Sequence, residues 1–270
     1  MTDMTDEHKI RAGIGGWTYK PWRGTFYPEG LRQADELSYA AGRLGAIEIN
    51  GTYYRLQKRE SFAKWHDAAP DGFKFTIKAS RFCTNRKDLR ETGESIEKFL
   101  GQGITELGDK LGPLFWQFMP TKKFDPEEFG VFLAMLPGTY QGLTLRHALE
   151  VRHESFVCAE FVELARKHGA AIICADSEKY PQIADQTADF SYARLLSARE
   201  DIETGYPEPE LDHWADTAKA WRDGGQPEGP QYLTKAVPAP KGRDVYMFFI
   251  NGAKVRAPAA AEALIARTIS

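Results

Sequence analysis

Residues 46–54 have the sequence AIEINGTYY, which predicts a β-strand with a carboxylate and an amide on one side. Side chains alternate along a strand, so Ile47 and Ile49 share one face while Glu48 and Asn50 share the other. A solvent-exposed edge strand tolerates this pattern. A strand buried on both faces does not, because an unpaired buried carboxylate is costly and often marks a site. The meaning of this stretch depends on the sheet that contains it.

Strands and helices alternate along the rest of the chain. Apolar runs predict strands at 10–17, 46–54, 73–79, 111–119, 145–152, 170–176, 190–195 and 244–251. Helical spacing predicts helices at 34–44, 59–68, 94–107, 125–136, 157–168, 208–222 and 258–268. Such alternation predicts a parallel sheet, and eight units in 270 residues match a TIM-type (β/α)8 barrel.

Residues 178–189 are too few for a full helix, so we expect the helix between strands six and seven to be short or missing. An open, doubly wound α/β sheet is the alternative fold. We predict a single barrel domain over residues 1–270, with a flexible N-terminal tail at 1–9.

The composition is that of an ordinary soluble protein, with 42% hydrophobic and 27% charged residues. A net charge of −3 does not favour a general nucleic-acid binder, although a local basic patch stays possible. The apolar runs are too short to span a membrane, and residues 1–9 lack the apolar segment of a signal peptide. The isolated cysteines suggest a cytoplasmic protein, with Cys158 and Cys174 in the core. Cys83 lies in a polar loop, where a reactive thiol is the less favoured interpretation.

Polar residues occur near the carboxyl ends of strands that are otherwise apolar. In strands two, three and five they alternate with apolar neighbours, as Glu48 does with Ile47 and Ile49. The apolar set can then face the outer helices and the polar set the barrel axis, at the mouth where barrel active sites lie. We therefore predict one pocket lined by Glu48, Asn50, Lys78, Gln117, Glu150, Arg152, Asp176 and Arg194. In a purely structural alternative, ion pairs such as Glu48–Lys78 and Glu150–Arg152 only close the barrel top.

Several separated motifs occur in order along the chain. They are GIGGWTY (13–19), FYP (26–28), EINGTYY (48–54), FKFTIKA (73–79), KLGP (110–113) and EVRHESF (150–156), followed by Asp176, Tyr192, Arg194 and Tyr246–Asn251. In these motifs the chain resembles the DUF72 (YecE-like) family, TIM-barrel proteins of unassigned function, from about residue 11 to 265. The resemblance implies the barrel but no reaction.

Two positions depart from that family's pattern. The family usually has Thr-His after the third strand, where this chain has Thr84-Asn85. It usually has His-Gly after the strand-seven arginine, where this chain has Leu196-Ser197. If those histidines act in the family's chemistry, this chain is a divergent member.

Cations at a barrel mouth suit phosphate or carboxylate groups, and aromatic rings there can stack on a sugar or base. We therefore predict an enzyme, a hydrolase, lyase or isomerase, that acts on a small anionic molecule, phosphorylated or carboxylated. The candidate catalytic residues are Glu48, Lys78, Glu150 and Asp176. The candidate substrate-binding residues are Trp17, Tyr19, Asn50, Tyr53, Arg81, Gln117, Arg152, Arg194 and Asn251. An imine at Lys78 is conceivable, but the sequence gives no sign that its pKa is depressed.

Two alternatives stay open. No cofactor is predicted, but a metal-dependent phosphoesterase or isomerase could use Glu48, Glu150, Asp176 and His153 as ligands of a divalent metal. Against it, the six histidines form no ligand-spaced motif. The second alternative is a non-catalytic module that binds a nucleotide, nucleic acid or partner protein, with the basic loop 81–90 contacting phosphates.

Overall fold

Eight parallel strands form a closed barrel in the structure, a computed structural model that describes residues 9–237, 239 and 241–269. The strands are β1 (Ile10–Gly15), β2 (Ala46–Ile49), β3 (Lys74–Lys78), β4 (Leu111–Gln117), β5 (His147–Glu150), β6 (Ala171–Asp176), β7 (Phe190–Leu195) and β8 (Asp244–Phe249). Each pairs with the next along the chain, and β8 pairs with β1. The predicted (β/α)8 barrel is confirmed, and the open sheet is wrong because the last strand, β8, pairs with the first, β1, so the sheet closes on itself.

Helices lie outside the barrel. They are α1 (Glu36–Ala41), α2 (Arg59–Ala68), α3 (Arg81–Thr84), α4 (Gly93–Leu100), α5 (Pro126–Ala134), α6 (Ala159–Lys167), α7 (Glu208–Arg222) and α8 (Ala257–Thr268). The Asp125 side chain caps α5 by accepting from Glu128 N, as its sequence predicts. None of the described helices is long and apolar enough to cross a membrane.

Two local features differ from the predicted pattern. The predicted helix 94–107 is split into α4 and a 3-10 segment, Ile104–Lys110, because Gly103 adopts a left-handed φ of 110°. A short hairpin pairs Thr139–Tyr140 with Leu143–Thr144, and its turn uses positive φ values at Gln141 and Gly142. Residues 1–8 of the predicted flexible tail lie outside the described residues.

No helix forms between β6 and β7 in the described residues 177–189, as predicted. Ile183 and Ala184 in this stretch are nevertheless only 1% exposed. Part of the loop before β8 covers them, because Ala184 N donates to Gln231 O at 2.8 Å and Asp185 accepts from Leu233 N at 2.7 Å. The loop therefore supplies part of the outer layer that a helix provides elsewhere.

Side chains inside the barrel form layers along its axis. The middle is apolar and aromatic, with Phe115, Tyr192, Tyr246 and Phe248 in one buried cluster. The opposite faces of the strands contribute to a separate, larger core beneath the helices. At the N-terminal end, Asp244 accepts from Arg11 at 3.0 Å and from Arg146 at 2.7 Å. The polar residues at the carboxyl ends lie above the apolar layers, at the other opening.

The strand that begins at residue 46 ends at Ile49, earlier than predicted. Asn50 leads into a 3-10 turn, Gly51–Tyr53, so the chain bends across the barrel mouth. The buried hydroxyl of Thr52 donates to Lys78 O at 2.7 Å and ties this turn to the end of β3. The turn places Tyr53 over the mouth instead of in a strand.

Candidate functional site

Two buried carboxylates meet one buried guanidinium at the mouth of the barrel. Arg194 donates from Nε and Nη2 to the two oxygens of Glu48, both at 3.0 Å, and from Nη1 to Glu150 Oε2. These three side chains extend from β7, β2 and β5 and are at most 3% exposed. Alternation brings them together because each has its apolar sequence neighbours on the helix side.

Other donors complete the coordination of both carboxylates. Glu48 also accepts from Tyr192 Oη at 2.9 Å and Asn50 Nδ2 at 2.8 Å. Glu150 also accepts from Gln117 Nε2 at 2.9 Å and Arg152 Nε at 2.7 Å. Of the two ion pairs in the structural alternative, Glu150–Arg152 is therefore present, whereas the partner of Glu48 is Arg194.

The charges around Glu150 determine its protonation. Burial favours the neutral acid, but Arg194 and Arg152 outweigh it and lower the pKa of Glu150 to about 2. Glu150 is therefore ionised at neutral pH. In this form it has no proton to donate, but it can orient its neighbours by accepting their hydrogen bonds.

Lys78 has a different environment. Its Nζ donates to Gln117 Oε1 at 2.7 Å and lies 4.3 Å from the centre of the Tyr53 ring. Burial, with the charge of Arg194 added, lowers the pKa of Lys78 to about 8. Among the described ion pairs none includes Lys78, since the carboxylates beside it are bound by arginines. The pKa of Lys78 is therefore lowered in the structure, although the sequence gives no sign of it.

A cleft of about 410 Å³ opens beside this charged cluster. Trp17 lies in its wall and packs edge-on against Trp65, with ring centres 5.4 Å apart. Arg55 and Lys254 add positive charge, and Asn50 links the cleft to Glu48. Tyr19 lies behind the cleft, where Lys254 Nζ is 4.8 Å from its ring centre.

Three predicted site residues lie apart from the cluster. Asp176 faces away from the axis, because alternation from the interior residue Ile173 puts Cys174 and Asp176 on the helix side. It accepts from Tyr206 Oη at 3.0 Å and lines a separate cavity of about 640 Å³. Its predicted place in the shared pocket is wrong.

Arg81 and Asn251 are the other two residues outside the cluster. Arg81 is exposed at the start of α3, with its guanidinium 5.4 Å from the Phe82 ring centre. Asn251 is exposed in the bend after β8, one residue beyond the inward-facing Ile250. Both lie beyond the strand ends, where alternation no longer predicts direction.

The four proposed metal ligands are not brought together. The oxygens of Glu48 and Glu150 accept from arginines, Asp176 faces outward, and His153 Nδ1 contacts Ser155 Oγ at 2.9 Å in its own loop. Within the described ranges, no group of three or more His, Cys, Asp or Glu side chains has a metal-binding arrangement.

The three cysteines have different environments. Cys83 is fully buried, and burial raises the pKa of its thiol to about 12, which disfavours a reactive thiol there. It lies on the inner side of α3 with Thr84, whereas Arg81 and Phe82 are exposed. Cys174 is buried as predicted, whereas Cys158 is only partly buried.

Sequence reasoning missed several residues around the site. Tyr192 hydrogen-bonds Glu48, and its position two residues before Arg194 on one strand could have identified it. Tyr180, whose ring centre lies 4.3 Å below the Arg152 guanidinium, and Lys254 come from loops. Trp65 comes from α2, and no local pattern indicates that it reaches the mouth.

The departures from the family pattern lie close to this site. Asn85 Nδ2 donates to Tyr53 Oη at 2.9 Å and holds the ring that covers Lys78. Ser197 Oγ donates to Asp176 O at 3.1 Å, in the separate cavity. At the same departure Leu196, which stands where the family has His, packs against the interior cluster that includes Tyr192, the hydrogen-bond partner of Glu48.

Comparisons with known proteins agree with the fold. A family model described as "Protein of unknown function DUF72" matches residues 11–269. A DUF72 family protein from Thermotoga maritima MSB8 superposes with a TM-score of 0.75 and 23% identity, covering 97% of this chain and 100% of that chain. One from Enterococcus faecalis V583 gives 0.69 and 16%, covering 97% and 96%. The structure of SacUVDE gives 0.54 and 8%, covering 96% and 99%. No curated protein matches the chain.

Proposed function

Since the chain belongs to the DUF72 family of proteins of unknown function, we propose a function from the geometry of its barrel mouth. In this proposal the protein is an enzyme that acts on a small anionic substrate, phosphorylated or carboxylated, bound beside Lys78 and Arg152.

An excess of buried positive charge carries this proposal. Glu48 and Glu150 supply two negative charges, while Arg194, Arg152 and protonated Lys78 supply three positive ones. One positive charge is therefore uncompensated inside a largely buried cluster, where charge interactions are stronger than in water. An anion that enters the mouth would supply the missing charge and accept strong, charge-assisted hydrogen bonds.

The side chains suggest distinct roles. Arg194 is fully occupied by Glu48 and Glu150, so it organises the site and leaves the substrate to others. Arg152 is 16% exposed, and Lys78 titrates near neutral pH, which suits a group that transfers a proton. Glu48 and Glu150 then act as positioning residues. The cleft lined by Trp17 and Trp65 is suited to the organic part of the substrate.

Anion binding tests the proposal. We expect the full-length protein to bind inorganic phosphate, and Arg152→Met to weaken that binding at least about tenfold, which corresponds to the loss of one charge-assisted contact. Isothermal titration calorimetry measures this. The control is Arg199→Met, which removes an exposed arginine that is also paired with a glutamate, Glu210. Equal affinity of the two variants, or no binding by the wild type, would contradict the proposal.

One surface favours the alternative of a nucleic-acid-binding module. Tyr54, Leu56 and Phe82 are 67%, 50% and 56% exposed, and Arg55 and Arg86 lie in the same groove as Leu56 and Phe82. Exposed rings between cations are typical of single-strand binding. Fluorescence anisotropy with an RNA oligomer tests this alternative. Salt-sensitive binding would support it if Phe82→Ala abolishes the binding and Arg152→Met leaves it intact.

A further inference from the structure

Lys78 is the one amine of the charged cluster, and its surroundings suggest a more specific chemistry. We propose that Lys78 is a nucleophile that forms an imine with an aldehyde or ketone group of the substrate, so that the substrate is an anionic carbonyl compound. This inference rests on the proposed function and adds its substrate class and its covalent step.

The first support is the set of partners of Lys78. Both carboxylates near it are occupied by arginines, tyrosine, asparagine or glutamine donors. Lys78 therefore donates to a neutral amide oxygen and forms no ion pair among the described residues. Lys78 loses its proton more readily than an ordinary lysine, because burial and the charge of Arg194 outweigh the nearby charges of Glu150 and Glu48, with which it forms no ion pair.

The second support is the orientation of Gln117. Its Nε2 donates to Glu150 Oε1 at 2.9 Å, so its Oε1 must face Lys78, which it does at 2.7 Å. A neutral Lys78 amine can still donate one N–H to that oxygen, which holds the nitrogen in place and directs the lone pair elsewhere. Glu150 thus sets the orientation of the Gln117 amide, and that amide sets the position of the Lys78 nitrogen.

The fraction of neutral amine is the third support. With a pKa of about 8, about a tenth of Lys78 is unprotonated at pH 7. For an ordinary lysine the fraction is roughly one in a few thousand. The unprotonated amine is the form that attacks a carbonyl carbon.

The covalent step balances without a further reagent. The Nζ lone pair forms a bond to the carbonyl carbon, and the carbonyl oxygen becomes the hydroxyl of a carbinolamine after proton transfer from nitrogen. The C–O bond then breaks, and the oxygen leaves as water with the two hydrogens of the original amine. The positive charge of Arg152 would hold the anionic part of the substrate beside the reacting carbon.

Access to Lys78 is controlled by one aromatic ring. Lys78 is 8% exposed, and the half-buried Tyr53 ring lies over its Nζ. The exposed Asn85 holds the Tyr53 hydroxyl at 2.9 Å. A substrate that reaches the amine would therefore have to displace the Tyr53 ring from Lys78.

Reductive trapping tests the inference. The full-length protein is incubated at pH 7 with pyridoxal 5′-phosphate, a phosphorylated aldehyde, or with glyoxylate, a carboxylated one, and then reduced with borohydride. Peptide mapping by mass spectrometry is expected to find the adduct on Lys78 at least about tenfold faster than on the exposed Lys98, with a midpoint near pH 8. Lys78→Arg should abolish that adduct, whereas Lys98→Arg should leave it unchanged.

The outcomes separate this inference from the function on which it rests. Labelling of surface lysines with none at Lys78 in the wild type overturns the imine, even if Lys78→Arg fails to fold. If phosphate still binds calorimetrically in that case, the anion site stands and only the imine fails. Trapping at Lys78 that phosphate does not slow, in a protein that binds no phosphate, supports the imine and contradicts the anion site.

Discussion

Replacing Arg194 with methionine is expected to lower the free energy of unfolding by about 3–5 kcal/mol. Arg194 supplies three hydrogen bonds to Glu48 and Glu150, both of which are at most 1% exposed. Without it, Glu48 loses its ion-pair partner and Glu150 keeps only the ion pair with Arg152. Urea denaturation of the two proteins at pH 7 measures the difference.

The matched control is Arg199→Met, which breaks the exposed pair with Glu210 and should cost at most about 1 kcal/mol. Adding Glu48→Gln and Glu150→Gln to the Arg194 variant should recover part of its stability, because the uncompensated charges are then removed. Equal losses in the Arg194 and Arg199 variants would show that the buried network contributes no more than a surface pair.

Replacing Asp244 with asparagine is expected to cost about 2 kcal/mol at pH 7. At the N-terminal end of the barrel this carboxylate binds Arg146 at 2.7 Å and Arg11 at 3.0 Å. Burial raises its pKa, but the hydrogen bond from Arg146 and the charge of Arg11 outweigh burial and lower the pKa to about 2. A lowered pKa stabilises the fold above the unfolded value near 4, and that stability is lost as the pH falls toward 2.

The pH dependence of this second variant identifies the cause. The difference from wild type should be complete at pH 7 and should shrink steadily between about pH 4 and pH 2, as urea titrations at each pH would report. Asp189→Asn is the control, because Asp189 also pairs with Arg146 but its side chain is 71% exposed. A difference that stays constant with pH would assign the loss to packing and not to charge.

The barrel could be predicted from the sequence because alternation of apolar strands and amphipathic helices extends over the whole chain. The core of the site could be predicted for the same reason: Glu48, Lys78, Glu150 and Arg194 lie within or at the ends of strands where alternation sets direction. Asp176 shows the limit of the argument. It ends a strand as they do, but β6 has Ile173 on the axis side, and one residue of offset in parity puts Asp176 on the other face.

The site residues outside the strands could not be predicted from strand alternation. Lys254 and Tyr180 come from loops, and their positions depend on tertiary contacts that no local period encodes. The lowered pKa of Lys78 could not be predicted from the sequence either, because it depends on which cations pair with Glu48 and Glu150. Arg194 pairs with both glutamates, which leaves the Lys78 amine without a carboxylate partner. The sequence lists the charged residues but does not show which of them pair.

The missing helix between β6 and β7 has a consequence for how this chain can change in length. Residues 226–235 resemble a tolerant linker in composition, yet they bond to Ala184 and Asp185 and cover a buried part of the barrel wall. A deletion there would uncover Ile183, and an insertion at 177–189 would displace the covering loop. A change of length in either segment would therefore disturb the packing of the other. The exposed tip of the hairpin at Gln141 and Gly142 carries no such constraint from the barrel wall.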